Sequence, residues 1–114
     1  MSPAQFIEKY GRSASFDLAG LFIVYHELSG APVAGCFAWR ESELPLVGKL
    51  HWLGVHPAHQ RRGLARFLAL RVIDFWRSRG AKLVVLSTEG DREAAIRLYE
   101  SLGFARVVVA GELV

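Results

Sequence analysis

A single cysteine, Cys36, is all the sequence offers for covalent bridging, so no internal disulfide can form. In the apolar stretch VAGCFAWR it reads as a small buried hydrophobe. Long apolar runs are missing too: none approaches the roughly 18 residues that cross a bilayer, and the start, MSPAQFIEKYGR, lacks a signal peptide's apolar centre. The expected location is therefore cytoplasmic, with no membrane partner. Neither GxxxxGKS/T nor GxGxxG occurs, which excludes a Walker loop and a dinucleotide turn. No repeat, low-complexity tract or linker interrupts the 114 residues, which fit one domain spanning 1–114.

What is present describes a folded, basic chain. Hydrophobic residues make up 52% and charged residues 22%, too apolar for disorder. The net charge of +3 and a pI near 9.4 favour an anionic partner: a nucleotide, an anionic cofactor or nucleic acid.

The pattern predicts a short N-terminal helix started by Ser2, Pro3 and Gln5, carrying Phe6, Ile7 and Tyr10 and ended by Gly11. Residues 21–28 and 33–40 form the arms of a hairpin around the turn residues SGAP, and a third strand, KLHWLGVHP, ends at Pro57. A helix from Gly63 to Arg79 puts Leu64, Leu68, Val72 and Phe75 on one face, with Gly80 as its stop. The run KLVVLS, 82–87, has the unbroken apolar character of a strand buried on both faces. Asp91 caps a further helix in which Ala95, Leu98, Tyr99 and Leu102 share a face, and FARVVVAG is a last strand. This order predicts an α/β fold with a mixed, mostly antiparallel sheet flanked by helices.

The stretch HPAHQRRGLA, 56–65, joins a strand end to a helix start through a basic turn and a glycine. Such a junction leaves several backbone N–H groups unpaired at the positive end of the helix dipole, where phosphate binds. Gly63 would let the backbone approach the anion without a Cβ, Ala65 keeps the next turn slim, and Arg61 and Arg62 add charge. Read alone, the stretch fits equally a helix start with solvated arginines.

VHPAHQRRGLA, an amphipathic helix, an apolar strand and then AAIRLYESLGF together resemble the GCN5-related N-acetyltransferase (GNAT) superfamily across residues 20–107. Its acetyl-CoA loop reads Gln/Arg-x-x-Gly-x-Gly/Ala after a V-x-P strand end, and a later helix reads A-x-x-L-Y-x-x-x-G-F. The resemblance implies that the backbone N–H groups of Arg61, Arg62, Gly63, Leu64 and Ala65 hold the pyrophosphate, with Gln60 shaping the loop. It implies that Leu53 and Val55 present backbone groups to the pantetheine arm, and that N–H groups near Leu53 and Gly54 face the oxyanion.

The resemblance also assigns Tyr99 as the acid that meets the leaving thiolate, although its pattern alone reads as core. His51 is the candidate base: KLHWLGVH resembles the histidine-bearing strand of arylalkylamine acetyltransferases, with Lys49 where those enzymes have another histidine. Alternation puts His51 on the face of Leu53 and Val55, and a purely structural hydrogen bond is its other reading. His51, His56 and His59 lack the cysteine or acidic ligand that would complete a metal site, so no metal is expected.

Trp39, Trp52 and Trp76 read as core or as walls of an acceptor pocket. Arg66, Arg77 and Arg79 read as a solvated helix face, and Arg97 with Glu93 and Glu100 as an exposed ion-pair ladder. Arg92 stands where many relatives carry an asparagine that touches the cofactor. The family fold also has a strand and two helices before LFIVYHEL and one strand after FARVVVAG. Against it, this chain is shortened at its N-terminus and lacks a clear last strand: a compact variant, a fragment, or a sheet completed by a second subunit, for which a homodimer is expected. The resulting expectation is an N-acyltransferase moving an acetyl group from acetyl-CoA to a primary amine of a small molecule or peptide. The alternative is a non-catalytic acyl-CoA-binding module, and nucleic acid is the least favoured partner.

Overall fold

The computed structural model describes residues 16–88, 93–106, 108–109 and 112–113. The helix expected at the N-terminus, the Asp91 cap and Arg92 lie outside the described residues. Contacts divide the chain into two compact units, 1–84 and 85–114.

The first unit is built on an antiparallel meander. Strands β1 (Phe16–Tyr25), β2 (Pro32–Glu43) and β3 (Leu46–Val55) pair in sequence order, and β4 (Leu83–Val85) joins β3 after a helical crossover. That crossover is α1, Leu64–Ser78. The α/β fold read from the sequence is the fold observed. The expected first strand, 21–28, in fact begins at Phe16 and stops at Tyr25. There the chain turns on a left-handed Gly30 (φ 70°), held by Gly30 N–H to His26 O and His26 N–H to Ala31 O, both 2.8 Å.

The register sorts side chains by face. Phe22, Val24, Ala34, Cys36, Ala38 and Leu50 share one face through the pairs Phe22↔Cys36, Val24↔Ala34 and Ala38↔Leu50. α1 lies on that face and buries Leu68, Ala69, Val72, Phe75 and Trp76. Its hydrophobic positions recur at helical spacing, which is why the sequence showed it clearly. Phe75 meets Phe22 edge-on at 6.5 Å, and the Cys36 thiol reaches Leu68 O at 3.7 Å. Gly48 lies directly under the Trp76 indole, whose Nε1–H donates to Lys49 O at 3.3 Å. Trp76 is thus core. At its far end α1 carries Arg79, stacked 3.7 Å over Phe75 and paired with Asp17 at 3.4 Å; both partners are well exposed, so the pair adds little.

Burial raises the Cys36 thiol from the ordinary 9.0 to about 12. The neutral thiol dominates at pH 7, so native protein is expected to react with a thiol reagent no faster than it unfolds. Rapid labelling under native conditions would contradict this burial. In the unfolded chain the thiol ionises first, so this group's contribution to stability is flat below about pH 9 and falls as pH rises from there towards 12.

Two irregularities interrupt the β2–β3 ladder. Arg40 pairs with Gly48 but Ser42 with Val47, so Glu41 is an extra residue on β2. Phe37 pairs with His51 but Gly35 with Gly54, so Trp52 and Leu53 together oppose Cys36 on β3. Trp52 sits at the second one with φ 57°, an uncommon backbone for a bulky residue. This corrects the expected alternation: His51 shares a face with Gly54, Phe37 and Trp39, whereas Leu53 and Val55 turn to the other.

The run 82–87 is also corrected. Only Leu83–Val85 form strand, Leu83 is 57% exposed, and Val84 and Val85 are half-buried. β4 is the last strand of the described order, and it is the exposure of Leu83, not this edge position, that departs from the two-faced burial its composition suggested.

In the second unit α2 spans Glu93–Ser101, with Ile96 and Tyr99 buried. Tyr99 packs on Phe104 at 6.0 Å, and Phe104 N–H donates to Tyr99 O at 3.1 Å after a left-handed Gly103 (φ 99°). Glu100 pairs with Arg106 at 3.0 Å, replacing the ladder expected with Arg97. The last strand is shorter than FARVVVAG: β5 is Val108–Val109, paired antiparallel with β6, Glu112–Leu113, in a two-stranded sheet of its own. The dimer expectation rested on an unpaired last strand, and β6 already covers one edge of it.

Candidate functional site

The junction between β3 and α1 is assembled from local interactions. β3 closes with His56 N–H donating to Val33 O at 2.7 Å, and Pro57 opens a single 3-10 turn, Pro57–His59. His56 caps that turn: its Nδ1 accepts from Ala58 N–H at 3.1 Å, and its carbonyl accepts from His59 N–H at 2.8 Å. Gln60 then folds back, its Nε2 donating to Val55 O at 3.3 Å, which ties the loop to the strand end. The turn that follows contains two left-handed residues, Arg61 (φ 64°) and Gly63 (φ 78°). Left-handed residues in a tight turn swing successive N–H groups toward one side, the geometry of an anion-binding concavity.

Gly63 is the N-cap of α1 and supplies no side-chain hydrogen bond. The first intrahelical bond runs from Phe67 N–H to Gly63 O at 3.0 Å, so the N–H groups of Leu64, Ala65 and Arg66 precede the helical ladder. No acidic side chain occupies the first turn, and Arg61, Arg62 and Arg66 are exposed around it. The first turn of the helix thus carries no carboxylate of its own to offset the positive end of the dipole. A Cβ at position 63 would meet no protein atom within 4 Å, so within the chain itself it is the left-handed backbone that calls for glycine.

The structure places Gln60, Arg61, Arg62, Gly63, Leu64 and Ala65 in succession at the start of α1 and ties this segment through Gln60 to Val55, which follows Leu53 and Gly54 on β3. The irregularity at Trp52 and Leu53 interrupts ladder pairing where the sequence placed the oxyanion donors. His51 is half-buried among aromatic rings, with centroids 5.1 Å from Phe37, 6.0 Å from Trp39 and 6.5 Å from Trp52. Trp52 itself is 53% exposed. Tyr99 is buried on α2 in the second unit.

Sequence reasoning grouped His51 with His56 and His59, whereas the third ring of that cluster is His26, from the β1–β2 turn. Its centroid lies 5.6 Å from His59, and His56 lies 5.8 Å from His59. No spacing signal joins His26 to residues thirty positions away; only the strand pairing does. Partial desolvation, then the Arg62 charge, then His26 and His56 lower the His59 pKa below the usual histidine range.

The acetyltransferase (GNAT) family model matches residues 2–104. Mycothiol acetyltransferase from Rhodococcus erythropolis is 40% identical over 96 residues, 80% of this chain and 32% of that protein. The chain thus spans about a third of the length of the curated relatives it matches. Among solved structures, an aminoglycoside acetyltransferase from an uncultured soil metagenomic sample superposes with a TM-score of 0.73 at 23% identity. It covers 98% of this chain and 74% of that one, a likeness of fold. The NatC complex bound to Gag peptide and CoA gives a TM-score of 0.71 at 26% identity, over 76% of this chain and 58% of that one. A strand end tied to an uncapped, basic helix start is thus found where a family-wide match covers nearly the whole sequence, and the chain belongs to the acetyltransferase (GNAT) family.

Proposed function

We propose that the chain binds acetyl-CoA at the turn between β3 and α1 and transfers its acetyl group to an amine of a small molecule or peptide. The observation that carries this reading is the N-terminus of α1: a left-handed glycine cap without a side-chain bond, three arginines, and no acidic residue in the first turn. The N–H groups of Arg61 to Ala65 hold the pyrophosphate. Leu53 and Val55 meet the pantetheine arm where the ladder is interrupted. Family membership and the CoA in the NatC structure support the cosubstrate.

In the transfer step the amine nitrogen attacks the thioester carbonyl, and an N–C bond forms as the C–S bond breaks. The carbonyl oxygen carries the transient negative charge, which N–H groups near Leu53 and Gly54 stabilise. The amine proton leaves to His51 or through it to water, and the departing thiolate takes a proton from Tyr99.

Acetyl-CoA titration by calorimetry tests the binding, and a screen of amines, polyamines, amino acids and peptides with thiol release as readout tests the transfer. Gly63→Asp separates the loop from the fold. Aspartate tolerates the left-handed backbone better than most residues, while its carboxylate repels an anion and competes for the same N–H donors. Affinity for acetyl-CoA is expected to fall by more than about tenfold, ~1.4 kcal/mol, in a variant that still folds but melts somewhat earlier because of its left-handed backbone. Undiminished affinity in this folded variant would remove the loop assignment. His51→Gln is expected to shift the acidic limb of the kcat profile, because the imidazole that takes the amine proton is gone. A limb that stays in place assigns proton removal to water.

A further inference from the structure

The β1–β2 turn carries His26 against the end of β3, where His56 and His59 stand. The three rings, with Ser29 and the segment 31–33, line a cleft of about 230 Å³. Two hydrogen bonds fix how the rings are used. His26 Nδ1 accepts from Ser29 N–H at 3.3 Å, and His56 Nδ1 accepts from Ala58 N–H at 3.1 Å. A ring nitrogen that accepts carries no proton, so in both neutral imidazoles the proton resides on Nε2, on the side away from the backbone donor.

That tautomer offers N–H donors and no lone pair at Nε2, which is wrong for a metal ligand. It is right for an oxyanion. None of the lining side chains is acidic, and Glu27, the carboxylate next to His26 in sequence, is exposed and lies outside the lining. Arg62 is near enough for its charge to act on His59, so positive potential reaches the cleft. The volume accommodates a phosphate group with a few waters.

We propose that the cleft between His26, His56 and His59 binds a phosphate monoester dianion through the Nε2–H groups of His26 and His56 and the ring of His59. The site stands on these rings and does not depend on the cosubstrate reading. Two sources supply the same chemistry: the 3′-phosphate of coenzyme A, whose pyrophosphate the adjoining loop would hold, or a separate phosphate ester.

The experiment follows the imidazole nitrogens of the full chain by long-range proton–nitrogen correlation while inorganic phosphate is added, against chloride at matched ionic strength. Saturable changes at all three histidines with phosphate and not chloride are expected. They should be lost at His56 in the His26→Phe/His59→Phe variant, whose dispersed spectrum reports that it is folded. Calorimetry then separates the sources. A preference of about tenfold for coenzyme A over its 3′-dephospho form, abolished in the double variant, assigns the cofactor's phosphate. Equal affinities, with the phosphate response intact, assign a separate ester. Histidines that respond to phosphate no more than to chloride overturn the proposal, even if coenzyme A binds. A phosphate response in a chain that binds no coenzyme A keeps this site and removes the function proposed above.

Discussion

Tyr99→Phe is expected to lower turnover by about 10²–10⁴ while leaving acetyl-CoA affinity close to that of the parent chain. The ring survives, and with it the packing against Phe104. What disappears is the hydroxyl proton, which in the proposed mechanism would meet the thiolate only as the C–S bond breaks. Loss of a transition-state interaction lowers kcat and kcat/KM together and leaves the binding of acetyl-CoA alone. Loss of a buried hydroxyl's hydrogen bond would instead lower stability by about 1 kcal/mol without a matching loss of rate. Measuring kcat, acetyl-CoA affinity and thermal midpoint on one preparation separates these outcomes. A Tyr99→Phe variant within about threefold of the parent rate returns Tyr99 to the core.

Gly48→Ala is expected to destabilise the first unit by about 3 kcal/mol or more, since the new methyl would overlap the Trp76 indole under which the glycine lies. Relief cannot come cheaply: Trp76 is 4% exposed and its Nε1–H is committed to Lys49 O. If this contact is the cause, Trp76→Leu should remove most of the penalty. Urea midpoints of the two single variants and the double variant give the coupling directly. Additive losses would locate the damage elsewhere in the ladder.

The elements written in local pattern were legible. α1 announced itself through apolar spacing between two glycines: Gly80 (φ 76°) is the stop the sequence suggested, while Gly63, read as the first helical residue, is the N-cap just before it. The basic turn at Gln60 to Gly63 was legible for the same reason: turn chemistry is a short-range property. The irregularity at Trp52 was not, because a tryptophan in an apolar run gives no sign that its backbone will be left-handed, and one such residue inverts every face assignment beyond it. KLVVLS misled because composition cannot say whether other elements cover both faces of a strand. His26 joined the other two histidines only through strand pairing, a contact that no window of sequence contains.

The two interruptions in the β2–β3 ladder behave like an insertion and its suppressor in a reading frame. Glu41 adds one residue to β2, and the Trp52–Leu53 pair adds one to β3. Between them, the segment from Phe37↔His51 to Arg40↔Gly48 runs one step out of phase with both ends. Outside it, Glu43↔Leu46 and Ala34↔Val55 stand in frame with each other. Removing either extra residue alone would leave the hairpin turn and the loop-bearing end of β3 in conflicting phases. Removing both would restore a continuous ladder, with the turn and the loop in their original register. Such a double deletion would straighten the strand at Leu53 while sparing the loop at Gln60 to Ala65. It would thereby uncouple two properties that the native chain holds together: the phosphate grip proposed for the loop and the interrupted backbone beside it on β3.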